Sequence, residues 1–363
     1  MTNVLRYGLI GAGMMGREHL RNIALVDEVE VVALADDFPE SLERAAKYAP
    51  GAATHDSAEA LLARDDLDAV VIATPNHTHV NVVPPAVEAG LHILCEKPLA
   101  TTLDDARTLR DLGNASEKVF WVGMEYRYIP AVARLIAEVD AGTPGPLRML
   151  SIREHRRSFL PKVRDWNRFN RNSGGTLVEK CCHHFDLMRR IVGREPVRVY
   201  ASGAQDVNHL DERYHGETPD ILDNAYVIVD FEGGVRAMLD LCMFAEGTAD
   251  SDQISATGDT GKVECLLPSG AVRIGTARTA ASRKASRSQS QQPQLLAPTT
   301  APRWKSTAAS PPPFAPGPHP TSAPMTATSP SPWAWPRSNP SPRGGRSGWR
   351  NCWVTRSSGS TST

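Results

Sequence analysis

The sequence predicts an α/β protein in which a domain with a parallel sheet is followed by an α+β domain with a large, mostly antiparallel sheet. Three observations support this prediction. Short apolar runs alternate with helical patterns up to about residue 124, as in parallel strands joined by crossover helices. Alternating strands separated by turn signals then continue to about residue 275. Beyond residue 275 the composition changes abruptly, which predicts a third segment, 276–363, without a fold.

The composition excludes several classes of protein. The chain has 363 residues, 41% of them hydrophobic, which is enough for two domains and a sizeable core. No apolar run approaches the ~20 residues of a membrane span, and no export signal precedes the first strand. Six irregularly spaced cysteines do not form a disulfide framework. A cytoplasmic protein is therefore expected, with neither a membrane nor a nucleic acid as its partner.

The first strand and helix carry a phosphate-binding pattern. An apolar run from Val4 to Ile10 leads into Gly11, Gly13 and Gly16, and a helical pattern follows. In G-x-G-x-x-G, the glycines allow a tight turn, close approach of a pyrophosphate, and close packing of helix on strand. The helix N-terminus directs free N–H groups at the phosphates. The predicted cofactor-binding residues in this loop are Gly11, Gly13, Met14, Met15 and Gly16.

The second strand ends in an acidic residue at the spacing expected for a ribose contact. Asp36 follows Gly16 by 20 residues, where a carboxylate accepts hydrogen bonds from the adenosine ribose hydroxyls. The alternative is a cap for the next helical pattern. Because a carboxylate repels a 2′-phosphate, the pattern favours NAD over NADP.

Two further polar loops follow apolar strands and therefore lie at the carboxyl edge of the predicted sheet. The first runs from Thr74 to His79 and the second is Glu96-Lys97-Pro98. An ammonium at Lys97 is suited to stabilise an alkoxide, although an exposed loop lysine is the simpler interpretation. Pro98 is a candidate for a cis peptide. The further predicted cofactor contacts are Thr74, Pro75, Asn76, His79, Glu96 and Lys97.

Five segments together resemble the glucose–fructose oxidoreductase/inositol dehydrogenase family, written Gfo/Idh/MocA. They are GLIGAGMMGREH (8–19), ATPNHTH (73–79), CEKPLA (95–100), GMEYRY (123–128) and GGTLVEKCCHHFDLMRRIVG (174–193). They occur in the family's order, and the resemblance covers residues 1 to about 275. It implies a Rossmann dinucleotide-binding domain at 1–124 and a substrate-binding α+β domain at 125–275. It also implies hydride transfer between a nicotinamide and a secondary alcohol of a sugar, cyclitol or similar polyol.

The resemblance also implies roles for the residues of the segment LVEKCCHHFD (177–186). The family's Asp-x-x-x-His pattern falls on Glu179 and His183, with glutamate in place of the usual aspartate. Residues at i and i+4 share a helix face, so both are predicted to face the nicotinamide, with His183 as the general base. Cys181 and Cys182 are predicted to be buried apolar residues, and no metal is predicted, because a zinc site usually has four ligands.

Substrate contacts and assembly are predicted for the second domain. The candidate substrate residues are Tyr126, Arg127, Asp165 and Trp166. The family commonly has Asn where this chain has Glu125, and Asp186 is expected to make a structural hydrogen bond. The open face of the family's large sheet often forms subunit contacts, so a homo-oligomer is expected by resemblance.

Three functions fit these motifs. The main hypothesis is an NAD-dependent dehydrogenase in which Lys97 and His183 carry the chemistry. An NAD-dependent glycosidase that oxidises its sugar transiently and eliminates the aglycone needs the same residues. A non-enzymatic dinucleotide-binding sensor would be expected to lose Lys97 or His183, and the chain has both.

The last segment differs from the rest in charge. From Ala271 onward there are 12 Lys+Arg, 15 of the 28 prolines and no acid, against 28 Lys+Arg and 41 Asp+Glu before it. A basic tail that binds an anionic partner or a proline-rich docking segment would have such a composition. We instead predict a frame-shifted translation from about residue 276. Trp333 to Pro336, read two bases later, encodes Gly-(Leu, Val or Met)-Ala, and stop codons in that frame of the DNA would refute the prediction.

Overall fold

The computed structural model describes residues 4–245, 247, 249–276 and, for the backbone alone, 295–296. Its first sheet is entirely parallel, with strand order β3-β2-β1-β4-β5-β6. The strands are β1 (Leu5–Ile10), β2 (Val29–Ala35), β3 (Ala53–His55), β4 (Ala69–Ile72), β5 (His92–Cys95) and β6 (Phe120–Val122). The strand order reverses between β1 and β4, and ligands of such sheets bind at the strand C-termini next to that point.

Helices cover this parallel sheet. They are α1 (Met14–Ile23), α2 (Pro39–Ala46), α3 (Ala58–Leu62), α4 (His79–Glu88) and α5 (Leu103–Ala115). Each follows a strand, as expected for crossover connections. Strand β4 is buried along its whole length because it lies in the centre of the sheet with helices packed against it. The predicted alternation of strands and helices in the first domain is therefore confirmed.

The second sheet is mixed and mostly antiparallel, with strand order β14-β13-β12-β11-β7-β10-β9-β8. Among the described strands of this second sheet, only β7 and β10 pair in parallel. The strands are β7 (Leu147–His155), β8 (Pro196–Ala204), β9 (Asn224–Phe231), β10 (Arg236–Cys242), β11 (Asp252–Gly258), β12 (Gly261–Leu267), β13 (Val272–Thr276) and β14 (Leu295–Leu296). This sheet confirms the predicted α+β class of the second domain.

One face of the second sheet forms the core of this domain. The helices are α6 (Pro130–Asp140), α7 (Asn170–Ser173), α8 (Thr176–Glu179) and α9 (Cys182–Val192), with 3-10 turns at Glu125–Tyr128 and Val163–Arg168. Helices α6 and α9 supply buried side chains such as Leu135 and Leu187, which pack with Ile152, Val227 and Leu239 from the strands. The opposite face is exposed, as at Tyr226 and Ile228 of β9, and the edge strand β8 is accessible on both of its faces.

The structure differs from one sequence prediction and leaves another outside the described residues. The helix expected to carry Glu179 and His183 together is broken, because α8 ends at Glu179 and α9 begins at Cys182. The predicted frame-shifted segment 276–363 lies outside the described residues, apart from Thr276 at the end of β13 and the backbone of Leu295–Leu296, which pairs with β13. Within the described part of the chain, no helix is long and apolar enough to cross a membrane.

Candidate functional site

The glycine loop has the shape that its sequence predicts. Gly11 has a φ of +95°, in the left-handed region, and a Cβ there would lie 2.5 Å from the carbonyl carbon of Ala73. A Cβ on Gly16 would lie 2.0 Å from the oxygen of Gly11, so only glycine allows α1 to pack this closely. At Gly13 a Cβ would meet nothing within 4 Å, which leaves open space at the N-terminus of α1. The loop therefore fits a pyrophosphate on this helix N-terminus.

Asp36 follows β2 directly and is fixed by the backbone. Its Oδ2 accepts from the N–H of Ala12 at 2.7 Å, and its Oδ1 accepts from the N–H of Phe38 at 2.8 Å. Burial raises the pKa of the carboxyl, and these two hydrogen bonds act against that shift. Each carboxylate oxygen has a second lone pair, so the group can still accept from a ribose diol beside the glycine loop.

The loops after β4 and β5 are tied together by a buried histidine. The ring of His79 is fully buried, with Nδ1 3.0 Å from the oxygen of Pro98 and Nε2 3.2 Å from the oxygen of Thr74. Because both ring nitrogens face backbone oxygens, His79 holds these loops in place. Its predicted role as a direct cofactor contact therefore needs correction.

Two more predicted cofactor contacts also have protein partners. The side-chain amide of Asn76 donates to the oxygen of Ser173 in the second domain at 3.0 Å. The carboxylate of Glu96 lies 2.7 Å from Nε2 of His19 in α1 and accepts from the N–H of Lys97. Both residues therefore fix the geometry between elements of the site. Thr74 and Pro75 lie in the loop at the edge of the sheet, with the Thr74 hydroxyl accepting from Thr78.

Lys97 crosses from the first domain to the second. It follows β5, and the Lys97–Pro98 peptide bond is cis, as the sequence suggested. Its Nζ donates to the backbone oxygen of Glu179 at 3.0 Å. This contact places an ammonium from the parallel sheet beside the segment that carries His183.

The break between α8 and α9 sends neighbouring side chains in different directions. The carboxylate of Glu179 is buried and accepts from Nζ of Lys162 at 2.9 Å. Its other oxygen, Oε2, has no hydrogen-bond partner among the described residues. The ammonium of Lys162 also lies 4.4 Å from the centre of the Trp166 ring. The predicted sharing of one helix face by Glu179 and His183 is therefore wrong, although both lie close to Lys97.

His183 lies at the start of α9 and is almost completely buried. Its ring stacks on that of Tyr126, with centroids 4.3 Å apart and an interplanar angle of 9°. Nε2 lies 3.4 Å from Oε1 of Glu125, while Nδ1 is buried without a hydrogen-bond partner among the described residues. Burial, together with the positive charges of Lys97 and Lys180, lowers the pKa of His183 to about 2. The imidazole is therefore neutral at physiological pH.

A buried ionic network lies behind Tyr126. Nζ of Lys180 donates to the Tyr126 hydroxyl at 2.5 Å and lies 3.0 Å from Oε1 of Glu154. Nε2 of His184 lies 3.0 Å from Oε2 of Glu154 and 3.9 Å from Oδ1 of Asp252. Burial acts against the charged form of His184, but the carboxylates of Asp252 and Glu154 raise its pKa well above the usual value.

Glu154, His184 and Asp252 are also a possible metal-ligand set, because their ligand atoms lie within 4.8 Å of one another and all three are buried. Two cations already neutralise Glu154, since Lys180 and Arg156 lie 3.0 Å and 3.2 Å from its Oε1. A divalent ion would add two positive charges beside this ammonium and guanidinium. The charges therefore fit a protein ion network better than a metal centre.

A cavity of about 510 Å³ opens beside this network. Tyr126 forms part of its wall, which connects it with the ring that stacks on His183. Most of its remaining lining is polar and carries both signs of charge, from Glu154, His155, Arg156, Arg157, Ser251 and Asp252. A hydroxyl-rich ligand can find both donors and acceptors in this cavity.

The other predicted substrate residues are less directly placed. The guanidinium of Arg127 is bound to the carboxylate of Asp186, with Nε 2.6 Å from Oδ2. This pair gives Asp186 the expected structural role, and the substrate contact of Arg127 stays a prediction. Asp165 has a φ of +50° in the loop that carries Lys162 and Trp166.

The cysteines of the LVEKCCHHFD segment are unpaired. Cys181 is fully buried and packs in the core of the second domain. The thiol of Cys182 has a pKa raised to about 11, chiefly by burial, so it is not a thiolate nucleophile at physiological pH.

The sequence interpretation missed Lys162, Lys180, Glu154 and Asp252. One signal was available for Glu154, which continues the inward alternation of Leu150 and Ile152 along β7. A carboxylate at an inward strand position requires a partner, because burying an unpaired charge is costly. No local pattern marked Lys162, because it lies in an irregular loop.

Comparison with known proteins agrees with this architecture. Residues 5–124 match the Gfo/Idh/MocA oxidoreductase family, NAD-binding Rossmann fold, and residues 137–308 match its C-terminal alpha/beta domain. The chain is 34% identical to the rhizopine catabolism protein MocA of Rhizobium meliloti over 264 residues, 72% of this chain and 79% of that protein. It is 30% identical to inositol 2-dehydrogenase of Rhizobium meliloti (strain 1021), over 65% of this chain and 68% of that protein.

A solved structure shares the fold. An NAD-binding protein from Listeria innocua superposes with a TM-score of 0.63 at 26% sequence identity, covering 75% of this chain and 76% of that one. Since the two family matches together span most of the sequence, the chain belongs to the Gfo/Idh/MocA family of oxidoreductases, NAD-binding enzymes with a Rossmann fold that act on CH–OH groups.

Proposed function

We propose that the protein is an NAD-dependent dehydrogenase that oxidises a secondary alcohol of a cyclitol, sugar or similar polyol. The observation that carries this proposal is the meeting of Lys97 from the parallel sheet with the His183 segment of the second domain. The positive charge of Lys97 also contributes to the lowered pKa of His183. Relatives named inositol 2-dehydrogenase support a cyclitol as the first substrate class to test.

The residues of the cofactor site suit NAD rather than NADP. Asp36 offers a carboxylate beside the glycine loop, where a 2′-phosphate would be repelled. When bound, the nicotinamide supplies the hydride acceptor. The protein binds and orients it through the glycine loop and the edge of the parallel sheet.

The protein groups around the reacting alcohol have complementary roles. Lys97 carries the positive charge that stabilises the alkoxide developing on the substrate oxygen. The hydroxyl proton leaves on the side of His183, whose imidazole is neutral and borders Glu125. Lys162 holds the carboxylate of Glu179 and thereby fixes the backbone oxygen to which Lys97 donates.

A polyol screen tests the proposed activity. Purified protein is mixed with NAD⁺ and a panel of inositols, pentoses, hexoses and sugar alcohols, and NADH formation is followed by absorbance. Lys97→Ala and His183→Ala are each expected to lower turnover ~10²–10⁴-fold, with NADH binding retained, because general acid–base catalysis contributes rate enhancements of that size.

Lys118→Ala, at an exposed lysine in the first domain, is the matched control and is expected to keep full turnover. Normal turnover of either active-site variant would contradict the proposed roles. Release of an aglycone without net NADH would instead identify the redox-elimination glycosidase.

We also propose that the enzyme works as a homo-oligomer in the cytoplasm. The five cysteines in the described part of the chain are all unpaired, as in proteins of a reducing compartment. The exposed face of the second sheet carries apolar side chains suited to a subunit contact, including Tyr200, Tyr226, Ile228 and Met238.

A further inference from the structure

His183, the proposed general base, is not oriented by a hydrogen bond within the described part of the chain. Its Nδ1 is buried without a hydrogen-bond partner among the described residues, and its Nε2 lies 3.4 Å from Oε1 of Glu125, beyond the usual N–H···O distance. A catalytic base is typically held in place by a third group. Because the last side-chain torsion of histidine has only broad minima, packing has to select the orientation of this ring.

The ring of Tyr126 supplies the contact that selects this orientation. It is stacked on the imidazole of His183, with centroids 4.3 Å apart and an interplanar angle of 9°. His184 meets the same tyrosine edge-on, with centroids 5.9 Å apart and an angle of 81°. Tilting the imidazole of His183 away from the parallel arrangement would drive its edge into the phenol ring, and closely packed interiors resist such a movement.

Lys180 in turn fixes Tyr126. Its Nζ donates to the Tyr126 hydroxyl at 2.5 Å and lies 4.8 Å from the centre of the phenol ring. The same ammonium lies 3.0 Å from Oε1 of Glu154, which strand β7 holds in the second sheet. The side chains of Lys180 and Glu154 are buried, so water competes little for these contacts. A continuous series of contacts therefore runs from the sheet through Lys180 and Tyr126 to the ring of His183.

The charge of Lys180 has a second effect on the base. Burial lowers the pKa of His183, and three neighbouring cations lower it further, those of Lys97, Lys180 and His184. The carboxylate of Glu154 acts in the opposite direction. Since a base must be unprotonated to accept the substrate proton, the ammonium of Lys180 helps to keep the imidazole in its working form.

We propose that Tyr126 and Lys180 are positioning residues for the base, in which Lys180 holds the phenol ring and the phenol ring holds the imidazole of His183 where it receives the substrate proton. This inference rests on the proposed dehydrogenase function and adds two residues to the proton-accepting side of the site. Neither residue exchanges a proton with the substrate. Tyr126 also lines the cavity beside the buried network, and a substrate contact there would change a different kinetic constant from a positioning role.

Steady-state kinetics of Tyr126 variants on the best polyol of the panel tests the stacked ring. Tyr126→Leu removes the flat ring and is expected to lower kcat ~10²-fold, because a small misplacement of a reacting group costs about that factor. KM for the polyol and the Kd of NADH should change little, since the loss of a substrate contact would raise KM instead. Tyr126→Phe keeps the stack and loses only the hydroxyl, so it should recover most of kcat.

Tyr128→Leu is the matched control, because Tyr128 lies in the same 3-10 turn, is exposed and packs on Trp121. It is expected to keep full kcat. Full kcat in Tyr126→Leu would overturn the proposal, as would a raised KM without a loss of kcat. Equal losses in Tyr126→Phe and Tyr126→Leu would overturn it too, since the ring would then not be what positions the base.

The pH dependence of the rate tests Lys180. Lys180→Met removes a positive charge beside His183 and should raise the pKa of the imidazole. Since kcat/KM is lost as pH falls through the pKa of the base, this loss should move to higher pH, and Lys180→Arg should restore its position. An unchanged pH profile in folded Lys180→Met would refute the role of this lysine. The Tyr126 variants leave the buried ion pair intact and decide the proposal if Lys180→Met does not fold.

A further measurement needs no substrate. NMR of the full chain with labelled histidine, using His183→Asn for assignment, reports the ring protons of His183. The ring current of the stacked aromatic should shift these protons upfield in the wild type and in Tyr126→Phe, and Tyr126→Leu should abolish that shift. Equal shifts in the wild type and Tyr126→Leu would overturn the proposal even when no polyol is oxidised. A wild type that shows the expected shifts but oxidises no polyol would instead refute the dehydrogenase function.

Discussion

At the scale of single residues, Asp36 shows how the backbone sets the function of a side chain. Its carboxylate accepts from the N–H groups of Ala12 and Phe38, which fix both oxygens beside the glycine loop. The neighbouring Asp37 is exposed and forms an ion pair with Arg164 from the second domain at 2.8 Å. Only Asp36 is therefore fixed by the backbone of the phosphate loop.

This difference makes Asp37 a matched control for the cofactor site. Asp36→Ala is expected to weaken NADH binding ~10–100-fold, because hydrogen bonds to a charged group contribute ~1.5–3 kcal/mol. NADPH binding should weaken less, since its 2′-phosphate is repelled by the carboxylate in the wild type. Fluorescence titration of both cofactors measures these changes, and Asp37→Ala should leave the preference intact. A wild type that already prefers NADPH would show the assignment of Asp36 to be wrong.

At the scale of elements, the break between α8 and α9 decides which side chains enter the site. A continuous helix would place residues 179 and 183 on one face. The break instead directs Glu179 to Lys162, Lys180 to Glu154 and Tyr126, and His183 to Glu125. The interruption thus lets residues 179–183 contact a loop, a strand and the 3-10 turn at Glu125–Tyr128.

Lys180 is the stabilising cation of the buried network. Lys180→Met removes the ammonium from Glu154, which is 1% exposed, and leaves this carboxylate with fewer partners. The expected loss in the free energy of unfolding is ~3–5 kcal/mol, typical of a broken buried pair. Urea unfolding measures it. Lys262→Met, which breaks an exposed pair with Glu264, should cost at most ~1 kcal/mol. Equal losses in the two variants would refute the role given to Lys180.

At the scale of the whole molecule, the second sheet has one covered face and one open face. Helices α6 and α9 bury the inner side, including Leu239 and Ile254. The outer side exposes Tyr200, Tyr226 and Ile228, among other apolar residues. An apolar surface of this kind is typical of a subunit interface.

The predicted oligomer can be tested by introducing charge on this face. The wild type is expected to be larger than a monomer in size-exclusion chromatography with light scattering. Ile228→Glu should shift it toward monomer, because the new carboxylate would be buried without a partner in the interface. Leu103→Glu, at an exposed leucine of α5, is the control and should leave the mass unchanged. A monomeric wild type would contradict the prediction.

The sequence by itself determined the fold class and the positions of the cofactor loop. Alternating strands and helices, the glycine spacing and Asp36 are local patterns, and local patterns follow from backbone geometry over a few residues. The inward alternation of β7 is a local pattern of the same kind, and it indicates that Glu154 is buried but not which residue is its partner.

The tertiary structure alone decided which charges meet. Glu154 comes from β7, Lys180 from the break between α8 and α9, His184 from α9 and Asp252 from β11, and only strand pairing and helix packing bring them together. Packing between distant segments also produces the contacts of His79 with two loops, of Arg127 with Asp186, and of Glu125 with His183. Sequence spacing fixes neighbours along one element, whereas contacts between distant segments depend on how the elements pack.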